Sequence, residues 1–367
     1  MKVLYTSESV NIGHPDKTCD VIADSFLDEA LRQDENSQMA VECAIKNDVL
    51  MIYGEATTKA DINYEKIAEE TLKDIGYKND FSFVKVISKQ SPDINQAVVR
   101  SELNANDQGM MFGYATNETP EFMPLPVIMA HKLMKKYDEF RRANSNRYFA
   151  DAKSQVTVEY ENERPVSVNT ILVSVSHNEN LTHEEIEVDI LNNVIYPVLE
   201  SCRYPKSNNY KAIINPSGKF TIWGSFGDSG CVGRKIVVDT YGGFGHVGGG
   251  CFSSKNATKV DRSAAYYSRY VAKNIVANEL ADRCEIQVSY AIGEPRPINI
   301  TIDTFGTNKV ELEQIQKIVD DNFDFSVSNI IKELDLNKPI YKKTACFGHF
   351  GRNEFSWEKV KTLKINC

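Results

Sequence analysis

No stretch of about 18 uncharged apolar residues occurs anywhere in the chain, so no membrane-spanning helix is expected. The start, Met1-Lys2-Val3-Leu4-Tyr5-Thr6-Ser7-Glu8-Ser9, turns polar after three apolar residues, too soon for a secretory leader. Together these absences make the cytosol the expected address. Its eight cysteines (Cys19, Cys43, Cys202, Cys231, Cys251, Cys284, Cys346, Cys367) stand singly, with no C-x-x-C pair and no nearby His doublet. Neither a zinc site nor a disulfide framework is therefore indicated. Cationic excess is lacking too: the formal net charge is −9, which disfavours a general nucleic-acid surface while leaving room for a local cationic pocket around one anionic ligand. There is no G-x-x-x-x-G-K-[ST] loop and no protein-kinase motif set, and no repeat, low-complexity tract or linker marks a domain edge.

At 367 residues the chain is too long for one small core, so two or three domains are expected. Ile22, Phe26, Leu27, Ala30 and Leu31 recur as one face of a helix beginning near Asp16. Residues 40–45 and 49–56 read as a hairpin about Lys46-Asn47-Asp48, which puts Glu42 and Glu55 on neighbouring strands, able to point into one site. A helix follows at 67–75 and a strand at 83–87, then an irregular polar stretch from Ser91 to Gly113 that reads as a functional loop. Pro126 opens a helix, strands at 155–160 and 166–177 flank a turn, and Thr182 with Glu185 forms a capping box. A strand is expected at Ile236–Tyr241, a helix at 263–279, strands at 285–292 and 297–303, and two closing helices. This mixture of paired strands and helices indicates α+β layers.

His14-Pro15-Asp16-Lys17 sets a neutral-capable donor, a hard oxygen ligand and a cation at a helix start, where free N–H groups and the dipole favour phosphate. The same four residues also read as an ordinary N-cap, a helix entry and a solvated lysine. Gly243, Gly245 and Gly248 make a G-x-G-x-x-G match after a β-prone run, but no helix pattern starts at Gly248. A loop admitting close backbone approach is the reading it supports. Asp228, Arg234 and Lys235 before that loop, and Lys255, Lys259, Asp261 and Arg262 after it, read either as a polyphosphate cradle with carboxylates for Mg²⁺ or as a salt-laced surface.

Several long segments, in collinear order over nearly the whole chain, resemble the methionine adenosyltransferases, also called S-adenosylmethionine synthetases. They include Thr6-Ser7-Glu8-Ser9-Val10 with Gly13-His14-Pro15-Asp16-Lys17, Ser91-Pro92-Asp93-Ile94-Asn95-Gln96, Asp107-Gln108-Gly109-Met110-Met111-Phe112-Gly113, Asp151-Ala152-Lys153-Ser154-Gln155, Gly233-Arg234-Lys235, Lys259-Val260-Asp261-Arg262-Ser263 and Gly348-His349-Phe350-Gly351-Arg352. The resemblance implies three similar α+β domains about a pseudo-threefold axis, approximately 1–110, 111–230 and 231–367 with segments interchanged. It also implies active sites at the interface of a homodimer, commonly paired into a homotetramer. The implied reaction is attack of the L-methionine sulfur on C5′ of ATP, followed by hydrolysis of the displaced triphosphate to phosphate and diphosphate. Such chemistry needs preorganised cations around a charged leaving group and no covalent nucleophile.

Carried over residue by residue, the resemblance gives His14 a contact to ATP and to the departing 5′ oxygen, and Asp16 a Mg²⁺, of which two per site are expected. Lys17, Lys153, Arg234, Lys235 and Lys255 would line the polyphosphate, with Asp151, Lys219, Phe220, Asp228 and Cys251 around the nucleotide. Glu55, Gln96, Asp228 and Lys259 resemble the methionine-positioning set, Lys259 coming from the neighbouring subunit. Glu42 resembles a K⁺ ligand, one per site, and Asp261 lies in the metal and phosphate region. The chain departs from the family pattern at Ile12, at Trp223-Gly224-Ser225-Phe226, at Asn104-Ala105-Asn106 and in a shortened segment between Gln96 and Asp107. A phosphotransferase and a silent nucleotide-binding homologue are the competing readings. The first would yield ADP without needing methionine, and the second would have lost His14, Asp16 or pocket cations.

Overall fold

The computed structural model describes residues 2–89, 103–202 and 209–365. Among the described residues three sheets form, and each recruits a strand from a distant part of the chain. In the first, the hairpin β2 (Gln38–Lys46) and β3 (Val49–Thr57) is flanked by β4 (Ser82–Ser88) and by the short β9 (Gly230–Cys231), in the order β4-β3-β2-β9. In the second, the N-terminal strand β1 (Lys2–Val10) pairs along its whole length with β6 (Tyr148–Glu161), from Lys2 opposite Glu161 to Val10 opposite Lys153. The strands β7 (Arg164–His177) and β8 (Lys211–Ile214) complete it. The third runs β11-β10-β5, joining β10 (Arg283–Tyr290) and β11 (Asn299–Asp303) to β5 (Gly109–Thr116).

Long helices cover one face of each sheet. Helix α1 (Pro15–Gln33) packs on β2 and on α2 (Tyr64–Ile75), α3 (Leu125–Ala143) on β6 and β1, and the long helix Val260–Ala277 on β5 and β10. The apolar stripe expected of α1 is buried: Ile22, Phe26, Leu27 and Ala30 are inaccessible and share a core with Val41, Cys43 and Ile52 of the hairpin. A second core lies between α3 and the β6–β7 pair, around Met129, Leu133, Tyr137, Val156, Ile171 and Val173. The Thr182–Glu185 capping box is present and opens α4 (His183–Ile190), which continues through a π-turn at Leu191–Ile195 into α5 (Tyr196–Ser201). Pro197 has no N–H to give to this helix, which accounts for the wider turn just before it.

Two expectations are corrected. Ile236–Tyr241 is not a strand: Ile236–Asp239 forms one helical turn, α6, followed in chain order by the long helix α7 (Val260–Ala277), α8 (Leu312–Asn322) and α9 (Val327–Glu333). The β-branched run is overridden because the Asp239 N–H reaches the Lys235 carbonyl and the Thr240 hydroxyl reaches that of Ile236. The stretch read as irregular up to Gly113 becomes strand β5 from Gly109 onward, since its glycines and methionines fit against β10. Every described cysteine is a free thiol, and no described helix is long and apolar enough to cross a membrane.

Candidate active site

His14 is the N-cap of α1 and is 3 % exposed. Its Nδ1 accepts the Asp16 backbone N–H at 3.2 Å. With Nδ1 used as an acceptor, the proton of the neutral ring sits on Nε2. Burial first, then the charges of Lys235 and Lys153, pull the imidazole pKa down to about 3, so the ring is neutral at physiological pH. Asp16, in the first turn of the helix, accepts the Cys231 N–H at 3.0 Å on Oδ1 and the Lys235 ammonium at 2.7 Å on Oδ2, with Arg234 Nε 3.4 Å from Oδ1. Burial opposes its ionisation, but the Lys235 and Cys231 hydrogen bonds hold it below the usual carboxylate range. Gly233 sits where the chain turns toward these cations, at φ +77°, and a Cβ there would lie 2.4 Å from that of Cys251.

From β6 come Asp151 and Lys153, two apart and therefore on one face. Asp151 accepts the Gly224 N–H at 3.0 Å on Oδ2, while its buried Oδ1 has no partner. Burial raises this carboxyl to about 6. Lys153 is exposed, as are Asp228 and Lys219. Phe220 is fixed by the exchange of its backbone with His177: its N–H donates to His177 Nε2 at 3.1 Å and its carbonyl accepts the His177 N–H at 3.0 Å.

A second group gathers around the start of α7. Lys255 pairs with Asp261 at 2.6 Å and bridges to Ala40 of β2. Lys259 occupies the N-cap position of the helix, and a small cleft joins it to Glu55, Gln38, Ala40, Asn106 and Asn256. Burial, then Lys255, lowers the Lys259 pKa, while Glu55, Asp107 and Asp261 oppose that shift. Glu42 and Glu55 do share a face of the hairpin, since Glu42 lies opposite Tyr53 and Glu55 opposite Ala40. The Tyr53 hydroxyl donates to Glu42 Oε2 at 3.3 Å. Cys251 sits between the two groups, close to Gly233 on one side and feeling the Lys255, Glu42, Asp20 and Asp261 charges.

The sequence-derived set therefore falls into two clusters. His14, Asp16, Asp151, Lys153, Asp228, Arg234 and Lys235 form one; Glu55, Lys255, Lys259 and Asp261 form the other. Lys259 stands beside Glu55 of its own chain, and Asp228 is the member of the methionine set that lies with the His14 cluster. Gln96 falls outside the described residues. Lys17 is 1 % exposed, and its ammonium is held by Asp20 at 2.8 Å and by Asp239. Burial works against that charge, yet the two carboxylates raise its pKa. Residues that sequence reasoning missed include Asn106 beside Glu55 and Lys259, and the carboxylates Asp20, Asp24 and Asp28. The latter were visible only as a four-residue spacing after Asp16.

Comparison with known proteins identifies the family. Three family models match in order: the S-adenosylmethionine synthetase N-terminal domain over 2–98, its central domain over 102–220 and its C-terminal domain over 222–359. The chain is 48% identical to an S-adenosylmethionine synthase of Mesoplasma florum over 378 residues, covering 99% of this chain and 100% of that one. It is 47% identical to one of Mycoplasma capricolum subsp. capricolum over 375 residues, covering 99% and 96%. It is 46% identical to one of Sorangium cellulosum over 372 residues, covering 97% and 87%. The chain belongs to the S-adenosylmethionine synthetase family.

Proposed function

We propose that the two clusters are the substrate-binding halves of a methionine adenosyltransferase site, which converts ATP, L-methionine and water into S-adenosylmethionine, phosphate and diphosphate. The observation that carries the assignment is His14: a neutral imidazole whose Nε2–H is free to donate, buried beside Lys235 and Lys153. As the methionine sulfur attacks C5′, negative charge grows on the departing 5′ oxygen. A fixed N–H donor there stabilises the transition state more than the bound ATP. Arg234, Lys235, Lys153 and Lys255 take the triphosphate charge. The partnerless Asp151 Oδ1 accepts a donor from the nucleotide, which relieves its desolvation.

Glu55 and Lys259 supply the opposite charges that a methionine zwitterion needs, and Asp228 adds a carboxylate from the other cluster. In this reading a homodimer, itself pairable into a tetramer, completes each site by apposing one cluster of each protomer. No described group of three His, Cys, Asp or Glu side chains converges on one metal position. That suits Mg²⁺, which is commonly held by one or two carboxylates together with substrate phosphates. Asp16 and Asp261 would hold Mg²⁺, and Glu42 a K⁺. When bound, the metal ions neutralise phosphate charge. The reading also places the protein in the cytoplasm.

The test is the fate of ATP with and without methionine. Methionine-dependent release of phosphate and diphosphate is expected. ADP formed regardless of methionine would establish the phosphotransferase reading instead.

A further inference from the structure

Helix α1 carries Asp16, Asp20, Asp24 and Asp28 at four-residue intervals, one above another on the same face. All four are 3 % exposed or less. Each accepts a backbone N–H from later in the chain: Asp16 and Asp20 from one loop, through Cys231 at 3.0 Å and Gly233 at 2.9 Å, Asp24 from Ser254 at 3.0 Å, and Asp28 from Tyr341 at 2.8 Å and Lys342 at 3.0 Å. Two of these anchors stand directly before the cations of the site, since Gly233 precedes Arg234 and Lys235, and Ser254 precedes Lys255.

The charges on this ladder are matched from inside the fold. Lys17 answers Asp20, and Arg262 answers Asp24 through two bonds of 2.8 and 2.7 Å, while also donating to the Lys255 carbonyl at 3.1 Å. Both anchoring amides belong to residues with left-handed backbone, Gly233 at φ +77° and Ser254 at φ +79°. For a serine that conformation is strained and persists only where its surroundings impose it. An apolar helix face would bury as well without the desolvation cost of carboxylates. What the carboxylates add is direction, because each fixes the N–H groups it accepts at one height along α1.

We propose that Asp20 and Asp24 are positioning residues for the reaction: they hold the 230–235 and 252–256 loops so that Arg234, Lys235 and Lys255 face the triphosphate before it arrives. Lys17 belongs to this device as the counterion of Asp20 and does not touch phosphate. The proposal rests on the assignment of those three cations to the polyphosphate.

The test uses Asp20→Asn, an uncharged side chain whose single carbonyl oxygen cannot accept from both the Gly233 N–H and the Lys17 ammonium and which leaves Lys17 paired with Asp239, alongside Lys235→Ala. Tripolyphosphate affinity is read by calorimetry, together with kcat and the KM for L-methionine. For folded Asp20→Asn, tripolyphosphate binding at least tenfold weaker and kcat at least tenfold lower are expected, with the methionine KM within twofold of the parent; a defect of packing alone would disturb methionine equally. Parent-like tripolyphosphate binding and kcat would overturn the proposal. If Lys235→Ala is weakened while Asp20→Asn is not, alignment alone is disproved; if Lys235→Ala binds like the parent, the polyphosphate assignment falls and the proposal with it. Should Asp20→Asn fail to fold, hydrogen exchange on the unaltered protein decides. Slow exchange at the Gly233 and Ser254 amides without any ligand is expected, and open-loop rates there would overturn the proposal.

Discussion

Replacing His14 by Asn separates transition-state stabilisation from folding and from ATP binding. Asn is a good N-cap, and its side-chain oxygen can take over acceptance of the Asp16 N–H, so α1 should start as before, with stability changed by only a few tenths of a kcal/mol. The amide is shorter than an imidazole, and its N–H falls about 1 Å short of the place that Nε2–H reaches, a misplacement worth about 10²-fold in rate. Losing one preorganised donor to a developing oxyanion costs roughly 2.7–4 kcal/mol, or 10²–10³ in kcat. Steady-state kinetics should therefore show kcat down by that factor with the KM for ATP little changed. With its pKa at about 3, His14 should also place no inflection in the kcat profile of the parent between pH 6 and 8. The sign for stability follows from linkage: the folded-state pKa lies below the unfolded value of 6.5, so the unfolded chain binds more protons between about 3 and 6.5, and stability is lost as pH falls through that window. Unchanged turnover in the variant would refute the role given to His14.

Three further outcomes are expected. Glu118, which accepts the Leu125 N–H and the Tyr160 hydroxyl, is raised to about 7 chiefly by burial. Its contribution is present below the unfolded value of 4.5 and lost as pH rises through about 7, so Glu118→Gln should melt higher than the parent at pH 8 by an equivalent of ~1–2 kcal/mol and show no gain at pH 4. A lower melting point at pH 8 would contradict this. Gly113→Ala would put a Cβ 1.9 Å from the Ser268 carbonyl carbon, where β5 crosses α7. Backbone cannot yield there cheaply, so a loss of about 3 kcal/mol is expected in denaturant titration; an unchanged midpoint would show that the crossing is looser than described. Glu55→Gln should raise the methionine KM by roughly 10-fold or more through loss of a charge-assisted contact, leaving the KM for ATP within a factor of about two. Equal effects on both substrates would remove Glu55 from the methionine half.

What could be read in the sequence was whatever local periodicity or capping decides. Ile22, Phe26 and Leu27 announced α1, Thr182 and Glu185 announced α4, and the strands about Lys46-Asn47-Asp48 placed Glu42 and Glu55 on one face. The turn at Ile236–Asp239 was hidden because three β-branched residues outvote a helical turn locally, and only contacts to Lys235 and Lys17 reverse that. Strand exchange was equally invisible, since β1 finds β6 and β9 finds β2 across long sequence separations. The ladder on α1 shows the limit most clearly. Its four-residue spacing is plain in the sequence, but its partners lie 213 residues away for Asp20, 230 for Asp24 and 313 for Asp28. Nothing local distinguishes such carboxylates from a solvated helix face. Lys17 shows the same limit: its pairing with Asp239, 222 residues further on, cannot be seen in a lysine that reads locally as a phosphate ligand beside His14 and Asp16.

The most direct test of the account is a rapid-quench single turnover with enzyme in excess over ATP, in the presence of L-methionine and Mg²⁺, with nucleotide and phosphate species separated by chromatography. S-adenosylmethionine and tripolyphosphate should appear together and in equal amounts, with phosphate and diphosphate following. ADP or AMP in place of S-adenosylmethionine, or ATP cleavage without methionine, would contradict displacement of an intact triphosphate at this site.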